Sequence, residues 1–329
     1  MIATLQSLRF IFVMMIFMSH FAYHDMSTFD AGGDCGVAFF LMLSGFVLSL
    51  RYGGKLREGS FHYGRFLKRR FLKLYPLHLL CLVFFLAVAR PRLDLSVLLN
   101  ALLLQSWVPR PDYYFSCNSV SWFLSSLFFC YLLFPFAYRH VSRWWVSLVV
   151  VAYLAVLLLI PYEKVNAILY VNPLVRFADF YIGIVLARSQ GDRPHVMHPS
   201  QRVCPPVSLS SKWTEWLIVV LVVVTLVLYP YVDAKFRNAP LYWLVLAPLI
   251  LVFAKEQGCV SSWLRRKPML FLSSLSMPLF MTHQMLTGIL IRRLPELPTV
   301  AMLFVCILVV LVVSWCIDRF FLRQIERMG

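Results

Sequence analysis

The sequence predicts an all-α polytopic membrane protein with about ten transmembrane helices, one short re-entrant or interfacial segment, and both termini in the cytoplasm. Hydrophobic residues make up 60% of its 329 residues and charged residues only 14%, whereas soluble proteins average roughly 45–50% and 25%. The basic residues lie between long apolar runs. The net charge of +16 therefore indicates topology and not nucleic-acid binding, which requires basic residues gathered on a soluble face. A single domain is predicted over residues 1–329, because the linker-like stretch at 192–211 has too few residues to form a second domain.

The first apolar segment, residues 5–24, contains two ionisable residues, Arg9 and His20. They are eleven residues apart, which places them on one helix face within ~20° and ~16 Å apart along the axis. An ionisable side chain inside a span usually marks a functional site, so His20 is the candidate catalytic residue. The alternative is that Arg9 is a snorkelling anchor and His20 an interfacial residue. No metal site is predicted, because His20 and His24 lack the further ligands of an HExxH or cysteine motif.

The later apolar segments predict nine more spans and one shorter piece. They are residues 36–50, 71–89, 95–107, 120–138, 144–161, 173–187, 213–231, 239–254, 269–291 and 298–317. Residues 95–107 are too few for an ordinary crossing, so we interpret them as re-entrant or interfacial. With this assignment 22 Lys and Arg residues lie inside and eight outside, whereas a crossing at 95–107 gives 15 on each side. The positive-inside rule favours the first arrangement, in which three later loops are cytoplasmic: 139–143, 188–212 and 255–267.

The most basic stretch runs from residue 51 to residue 76, and Arg69, Arg70 and Lys73 lie at the entrance of the third span. Their cationic groups, on adjacent positions and one turn apart, can bind the phosphates of a soluble donor from the cytoplasm. A basic cluster beside a membrane also attracts anionic lipids. Spacing alone leaves both interpretations open.

The region around the second span is rich in glycine, at residues 32, 33, 36 and 45. This pattern predicts an outer loop that folds back on the first helix, followed by close helix packing. Under the predicted topology Cys35 and Cys117 lie outside the membrane, where thiols oxidise, so a disulfide between them is a hypothesis. Arg176 and Asp179 lie one turn apart in an apolar span and are expected to pair.

Seven motifs, in order along the chain, resemble those of one known family. They are Leu5-x2-Leu8-Arg9 with ten residues to His20, Gly36-Val37-x-Phe39-Phe40-x3-Ser44-Gly45-Phe46, Lys68-Arg69-Arg70-x2-Lys73-x-Tyr75-Pro76, Ser121-Trp122-Phe123-Leu124-Ser125, Tyr131-Leu132-Leu133-Phe134-Pro135, Arg176-x2-Asp179-Phe180-x2-Gly183 and Leu275-Ser276-Met277-Pro278-Leu279-Phe280-x2-His283. Each motif is weak alone, but their order and spacing cover nearly the whole chain. The chain resembles the membrane-bound acyltransferase family 3, whose members O-acylate bacterial surface glycans and related acceptors.

The resemblance implies a multi-pass enzyme of the bacterial cytoplasmic membrane that uses acyl-CoA as donor substrate and holds no permanently bound cofactor. The expected reaction moves an acyl group, an acetyl group in our interpretation, to a hydroxyl of a glycan or lipid-linked sugar. His20 corresponds to the histidine regarded as essential for transfer. Arg70 and Lys73 correspond to basic residues implicated in activity or donor binding.

Helix geometry and the resemblance together give a predicted site. The CoA phosphates are expected on Arg69, Arg70 and Lys73, with Arg9 beside the pantetheine and the thioester at His20. Auxiliary positions come from the remaining motifs, namely Ser44, Tyr75, Trp122, Arg176, Asp179 and His283. His20 then acts either as general base on the acceptor hydroxyl or as a covalent acyl carrier, and the sequence leaves both routes open.

This chain departs from the family at acidic positions. Ala38 stands where many relatives have an acidic residue, and Leu127 and Phe128 stand where many have glutamates. His20 therefore lacks the obvious acid to orient its ring. Three aspartates are candidates for this role, namely Asp25, Asp34 and Asp179.

A transporter of a glycan or lipid intermediate, with His20 as a proton relay, is the competing hypothesis. Many transporters carry internal repeats, with Gly/Pro-interrupted helices at matching positions of the two halves. The hydropathy of this chain has no such repeat. The enzyme is therefore the favoured interpretation.

We predict that Arg265 lies on the cytoplasmic side of the membrane and Lys235 on the outer side. In a cysteine-free background, a cysteine at position 265 is then labelled by an impermeant maleimide only after spheroplasts are opened. A cysteine at position 235 is labelled in intact spheroplasts and serves as the control. Labelling of position 265 from outside would contradict the non-crossing assignment of residues 95–107.

Overall fold

The computed structural model describes residues 2–24, 29–190 and 209–328, and these residues form helices and turns without a β-strand. Within them are fourteen helices of six residues or more: α1 Ala3–His20, α2 Asp30–Arg57, α3 Tyr63–Ala89, α4 Leu95–Ala101, α5 Trp122–Arg139, α6 Arg143–Leu159, α7 Pro173–Ser189, α8 Leu209–Leu228, α9 Ala239–Phe253, α10 Cys259–Leu264, α11 Lys267–Ser274, α12 Ser276–Arg293, α13 Thr299–Ile317 and α14 Arg323–Met328. Residues 192–208 of the predicted linker lie outside the described residues.

The helices confirm the all-α polytopic membrane class. Each of the ten predicted spans contains a helix of at least 15 residues. Within the described residues six helices are long and apolar enough to cross a membrane, and a bent pair, Tyr162–Tyr170 with Pro173–Ser189 at 52°, can form a seventh. Large apolar side chains such as Trp144 and Phe304 are exposed on the outside of the bundle, as lipid contact requires. The number of crossings and the side of the termini stay predictions.

Residues 95–107 form the short helix α4 and one 3-10 turn, Gln105–Trp107. Asp94 caps α4, because its Oδ1 accepts the N–H of Ser96 at 2.9 Å. The segment packs on the middle of α3, where the Tyr75 hydroxyl donates to the carbonyl of Ala101 at 3.1 Å. The seven residues of α4 are too short to cross a bilayer as a helix.

The glycine-rich stretch before the second span is helical, so its prediction as an outer loop is wrong. Helix α2 begins at Asp30 and includes Gly32, Gly33 and Gly36 in its first two turns. A Cβ on Gly36 would lie 2.5 Å from Cγ1 of Ile16 on α1. Intrinsic propensity disfavours glycine in a helix. Here the close approach of α1 and α2, which only glycine permits, offsets that cost.

Two more glycines set the crossing of α2 and α7. A Cβ on Gly45 would lie 2.0 Å from the carbonyl oxygen of Phe180, and a Cβ on Gly183 would lie 2.0 Å from that of Met42. Each glycine therefore receives the backbone of the other helix. This reciprocal contact explains why both motifs of the sequence, Ser44-Gly45-Phe46 and Asp179-Phe180-x2-Gly183, contain a glycine.

The hypothesis of a disulfide between Cys35 and Cys117 is wrong, because both are free thiols. Cys35 is buried on α2 within the apolar core that includes Phe12 and Phe39, whose rings stack at 3.8 Å between centroids. Cys117 lies in the turn between α4 and α5. Placing Cys35 in an outer loop was the error, since that residue belongs to a packed helix.

Helix α1 is anchored at its first turn by the segment that follows α9. The Glu256 carboxylate accepts the N–H groups of Ala3 at 2.6 Å and Thr4 at 3.1 Å, and so caps the helix. The Ser7 hydroxyl donates to the carbonyl of Leu264 at 2.6 Å. The far end is anchored as well, because the Tyr23 hydroxyl donates into the carbonyls of the loop at residues 294–297, 2.6 Å from that of Pro295.

We predict that Gly45→Ala and Gly183→Ala each lower the thermal unfolding temperature in detergent. The added methyl group forces two backbones apart, and overpacking of this kind costs about 1–3 kcal/mol or more. Gly288→Ala is the matched control, because its Cβ would have no atom within 4 Å and alanine is favoured in a helix. An unchanged unfolding temperature in both test variants would contradict the reciprocal contact.

Candidate active site

The two intramembrane histidines of the sequence motifs meet in the structure. His20 is the last residue of α1, and His283 lies in the middle of α12. Nδ1 of His20 lies 3.0 Å from Nε2 of His283, which is a hydrogen-bond distance. His20 is partly exposed, whereas His283 is 1% exposed and is packed between the rings of Phe17 and Phe280. The side chain that hydrogen-bonds the ring of His20 is therefore a histidine, and the backbone of Ile16 also hydrogen-bonds that ring.

The other ring nitrogen of His283 faces its own helix. Nδ1 lies 2.8 Å from the carbonyl oxygen of Phe280 and 3.1 Å from that of Leu279. A carbonyl can only accept a hydrogen bond, so this nitrogen carries a proton. The ring of His283 is thus held by hydrogen bonds at both nitrogens.

The turns on either side of His283 are fixed from the segment that precedes α5. The Asn118 amide donates to the carbonyl of Met281 at 2.8 Å. The Ser119 hydroxyl donates to the side-chain oxygen of Gln284. Residues on both sides of His283 are therefore tied to the same loop, which limits movement of the imidazole.

The second cluster of predicted site residues lies near Arg9, closer to the start of α1. The guanidinium of Arg70 lies among three aromatic rings, at 5.7 Å from the centroid of Tyr52, 5.6 Å from Phe66 and 5.7 Å from Tyr131. Cation–π attraction stabilises this position. The Tyr52 hydroxyl accepts from Nη2 of Arg70 at 3.4 Å and also hydrogen-bonds Arg69.

Tyr131 connects this aromatic cage to α1. Its hydroxyl hydrogen-bonds Ser44 and lies within electrostatic range of both Arg9 and Arg70. The structure therefore brings together Arg9, Arg70 and Ser44, which come from three different helices. Lys73 is exposed on α3, one turn beyond Arg70.

Arg176 and Asp179 form the predicted ion pair on α7. Nη2 of Arg176 lies 3.0 Å from Oδ2 of Asp179, and both side chains are at most 1% exposed. The Trp243 indole donates to Oδ1 of Asp179 at 2.6 Å. A buried pair of this kind requires further hydrogen bonds because both charges lose their hydration.

The aspartates proposed as partners of His20 have other partners. Asp179 is engaged in the ion pair, and Asp34 accepts the hydroxyl of Tyr229 at 2.5 Å. Asp25 lies outside the described residues. Asp34 and Asp179 are therefore wrong as candidates for orienting His20, because its ring hydrogen-bonds His283 and the backbone of Ile16 instead.

Two auxiliary residues support the segment at 95–107. Tyr75 donates to Ala101, and the carbonyl of Trp122 accepts the Ser106 hydroxyl at 2.9 Å. Both contacts hold that segment against α3 and α5. His24 does not share a helical face with His20, because α1 ends at His20. Among the residues that the structure describes, no group of three or more His, Cys, Asp and Glu side chains is placed to hold a metal ion.

The sequence did not identify Tyr52 and Tyr131 as site residues. Tyr131 lies in one of the quoted motifs, and a tyrosine amid apolar residues is a weak polar signal there. Its contacts with Ser44 and Arg9 join distant parts of the chain. Such contacts can be found only once the helices are packed.

Comparison of the sequence with known families decides the membership of this chain. The family model of the acyltransferase domain Acyl_transf_3 matches residues 2–319. The chain belongs to acyltransferase family 3. This membership confirms the resemblance drawn from the seven motifs.

Two curated relatives of this family 3 chain share parts of its sequence. It is 31% identical over 183 residues to Acyltransferase MdmB of Streptomyces mycarofaciens, a match that covers 47% of this chain and 46% of that protein. It is 52% identical over 52 residues to Protein 2 in picA locus of Rhizobium radiobacter, which covers 16% of this chain and 27% of that protein. The chain thus spans less than half the length of either relative. No solved structure matches it significantly.

We predict that Arg176→Met lowers the thermal unfolding temperature in detergent. The change leaves the Asp179 carboxylate buried without its cation, which typically costs about 3–5 kcal/mol. The double variant Arg176→Met/Asp179→Asn removes both charges and keeps an oxygen for the Trp243 indole, so it regains much of the lost stability. If the double variant loses as much stability as Arg176→Met and Asp179→Asn lose together, the pairing is contradicted.

Proposed function

We propose that this family 3 protein is a membrane O-acyltransferase that moves an acyl group from cytoplasmic acyl-CoA to a hydroxyl of an acceptor on the outer side. One observation carries the proposal. Helix α1 presents Arg9, near the aromatic cage of Arg70, about two turns from its start, and it presents His20, hydrogen-bonded to His283, at its C-terminal end. The eleven-residue separation is a rise of ~16 Å, a distance that an extended pantetheine arm can bridge.

The donor end suits a polyanion. Arg9, Arg69 and Arg70 meet around the hydroxyls of Tyr52 and Tyr131. The buried Nε–H of Arg70 has no hydrogen-bond partner among the described residues. Buried donors normally have partners, so this group can donate to an anionic oxygen. The phosphates of CoA are the ligand that this chemistry favours, with exposed Lys73 as a further cation at the rim.

The reactive end suits acyl transfer. The acceptor oxygen attacks the thioester carbonyl carbon, the carbon–sulfur bond breaks, and the hydroxyl proton passes to His20 and then to the sulfur of CoA. An imidazole is a suitable general base for this step. In the second route a ring nitrogen of His20 first takes the acyl group and then gives it to the acceptor. Both routes need an unprotonated nitrogen on His20.

The family resemblance supports a proposal for the acceptor and for the location of the enzyme. We propose a glycan or lipid-linked sugar as acceptor, an acetyl group as the transferred unit, and the bacterial cytoplasmic membrane as the site of action. The acceptor hydroxyl reaches His20 from the end of α1 opposite to Arg9. Donor and acceptor thus enter from opposite sides of the membrane.

The test separates donor binding from chemistry. In nanodiscs with radiolabelled acetyl-CoA and an envelope glycan fraction, His20→Ala should retain acetyl-CoA affinity and lose transfer by about 10²–10⁴-fold or more. Arg70→Ala should weaken acetyl-CoA binding by about 1–3 kcal/mol, because a hydrogen bond to a charged group is lost.

The matched control is Arg139→Ala, which removes an exposed arginine at the C-terminal end of α5. It should leave acetyl-CoA binding and transfer unchanged. Wild-type transfer by a well-folded His20→Ala protein contradicts the assignment of His20. Wild-type acetyl-CoA affinity in Arg70→Ala contradicts donor binding by the basic cluster and favours the alternative that the cluster binds anionic lipids.

A further inference from the structure

We propose that His283 is a positioning residue that fixes the tautomer of His20 and leaves Nε2 of His20 as its basic nitrogen. This inference rests on the proposed acyl transfer and deepens it, because it names the atom that reacts. His20 is then the catalytic residue, and His283 acts through it.

The first step concerns the protons of His283. Its Nδ1 carries a proton, since it lies 2.8 Å and 3.1 Å from two carbonyl oxygens. A second proton on Nε2 would make the ring a cation. His283 is 1% exposed between the rings of Phe17 and Phe280, and burying a cation among apolar side chains is costly. The ring is therefore neutral, and its Nε2 has a lone pair.

The second step concerns the protons of His20. A lone pair on Nε2 of His283 requires a donor from the facing nitrogen, because two lone pairs at 3.0 Å would repel. Nδ1 of His20 thus carries the proton. A neutral imidazole has one N–H group, so Nε2 of His20 is unprotonated. This tautomer is the minor one for histidine in water. His283 and the backbone of Ile16, which also hydrogen-bonds the His20 ring, together make it the dominant one here.

The third step concerns the reaction. When Nε2 of His20 takes the acceptor proton, Nδ1–H of the resulting imidazolium still donates to His283. The two carbonyls on Nδ1–H of His283 polarise the ring and strengthen Nε2 as an acceptor, as in other hydrogen-bond chains. A histidine thus performs the orienting role that a carboxylate performs in the serine hydrolase triad. The role needs no acid near His20.

The surrounding contacts hold the rings of His20 and His283 at a fixed separation. Tyr23, three residues after His20, is bound to the loop that follows α12. Asn118 holds the carbonyl of Met281, two residues before His283. The separation of the two imidazoles is therefore set by the backbone and not by the side chains alone.

Solid-state NMR of ring-labelled histidine tests the tautomer directly. The signals of His20 are identified by their loss in His20→Gln. In the wild type they should report a proton on Nδ1. In His283→Phe a measurable fraction of His20 should change to a proton on Nε2, although the backbone of Ile16 still hydrogen-bonds the ring. His283→Gln, whose amide oxygen can accept from His20, should keep the Nδ1 proton. His140→Phe, at an exposed histidine, is the control and should leave the His20 signals unchanged.

Kinetics supply the second measurement. His283→Phe should lower kcat by about 10²–10⁴-fold, the loss typical of a misplaced general base, with unchanged acetyl-CoA affinity, and His283→Gln should restore part of that rate. A proton on Nε2 of wild-type His20, or the same populations of the two tautomers in wild type and in a folded His283→Phe, overturns the inference. The NMR measurement needs no substrate. If the tautomer is confirmed and no acyl transfer is found, the proposed function is refuted and the inference about the tautomer is not.

Discussion

Polar groups inside a membrane must find their partners within the protein, and this constraint organises the whole bundle. Helix α1 carries Arg9 and His20, and α7 carries Arg176 and Asp179. Each of these side chains lies among residues of other helices, so the helices that contribute those residues occupy the centre. The more uniformly apolar helices, such as α6 and α13, expose large side chains at the periphery.

Glycine makes this central arrangement possible. Gly36 on α2 lets α1 approach, and Gly45 with Gly183 lets α7 approach from another side. Ser44, next to Gly45 on α2, hydrogen-bonds the Tyr131 hydroxyl of α5. The packing of α2 against α1 and α7 thus depends on residues that have no side chain.

The sequence predicted the helices better than it predicted their contacts. Long apolar runs identified all ten long helices, since hydropathy is a local property. The start of α2 was predicted too late, because glycine suggests a loop unless the packing partner is known. Arg176 and Asp179 were paired correctly, since they lie one turn apart on one helix. The partner of His20 was sought among aspartates, because nothing local connects residue 20 with residue 283.

The anchoring of α1 has a consequence for biogenesis. The partners of this helix and of Tyr23, which follows it, at Glu256, Leu264, His283 and Pro295, lie 253 to 272 residues further along the chain and are made later. Closing a chain segment of this length carries an entropic cost that the late contacts must offset. Until α12 is made, His20 lacks its contact with His283. The pair of imidazoles is therefore completed only after α12 is made, and a chain truncated before that helix has no means of assembling it.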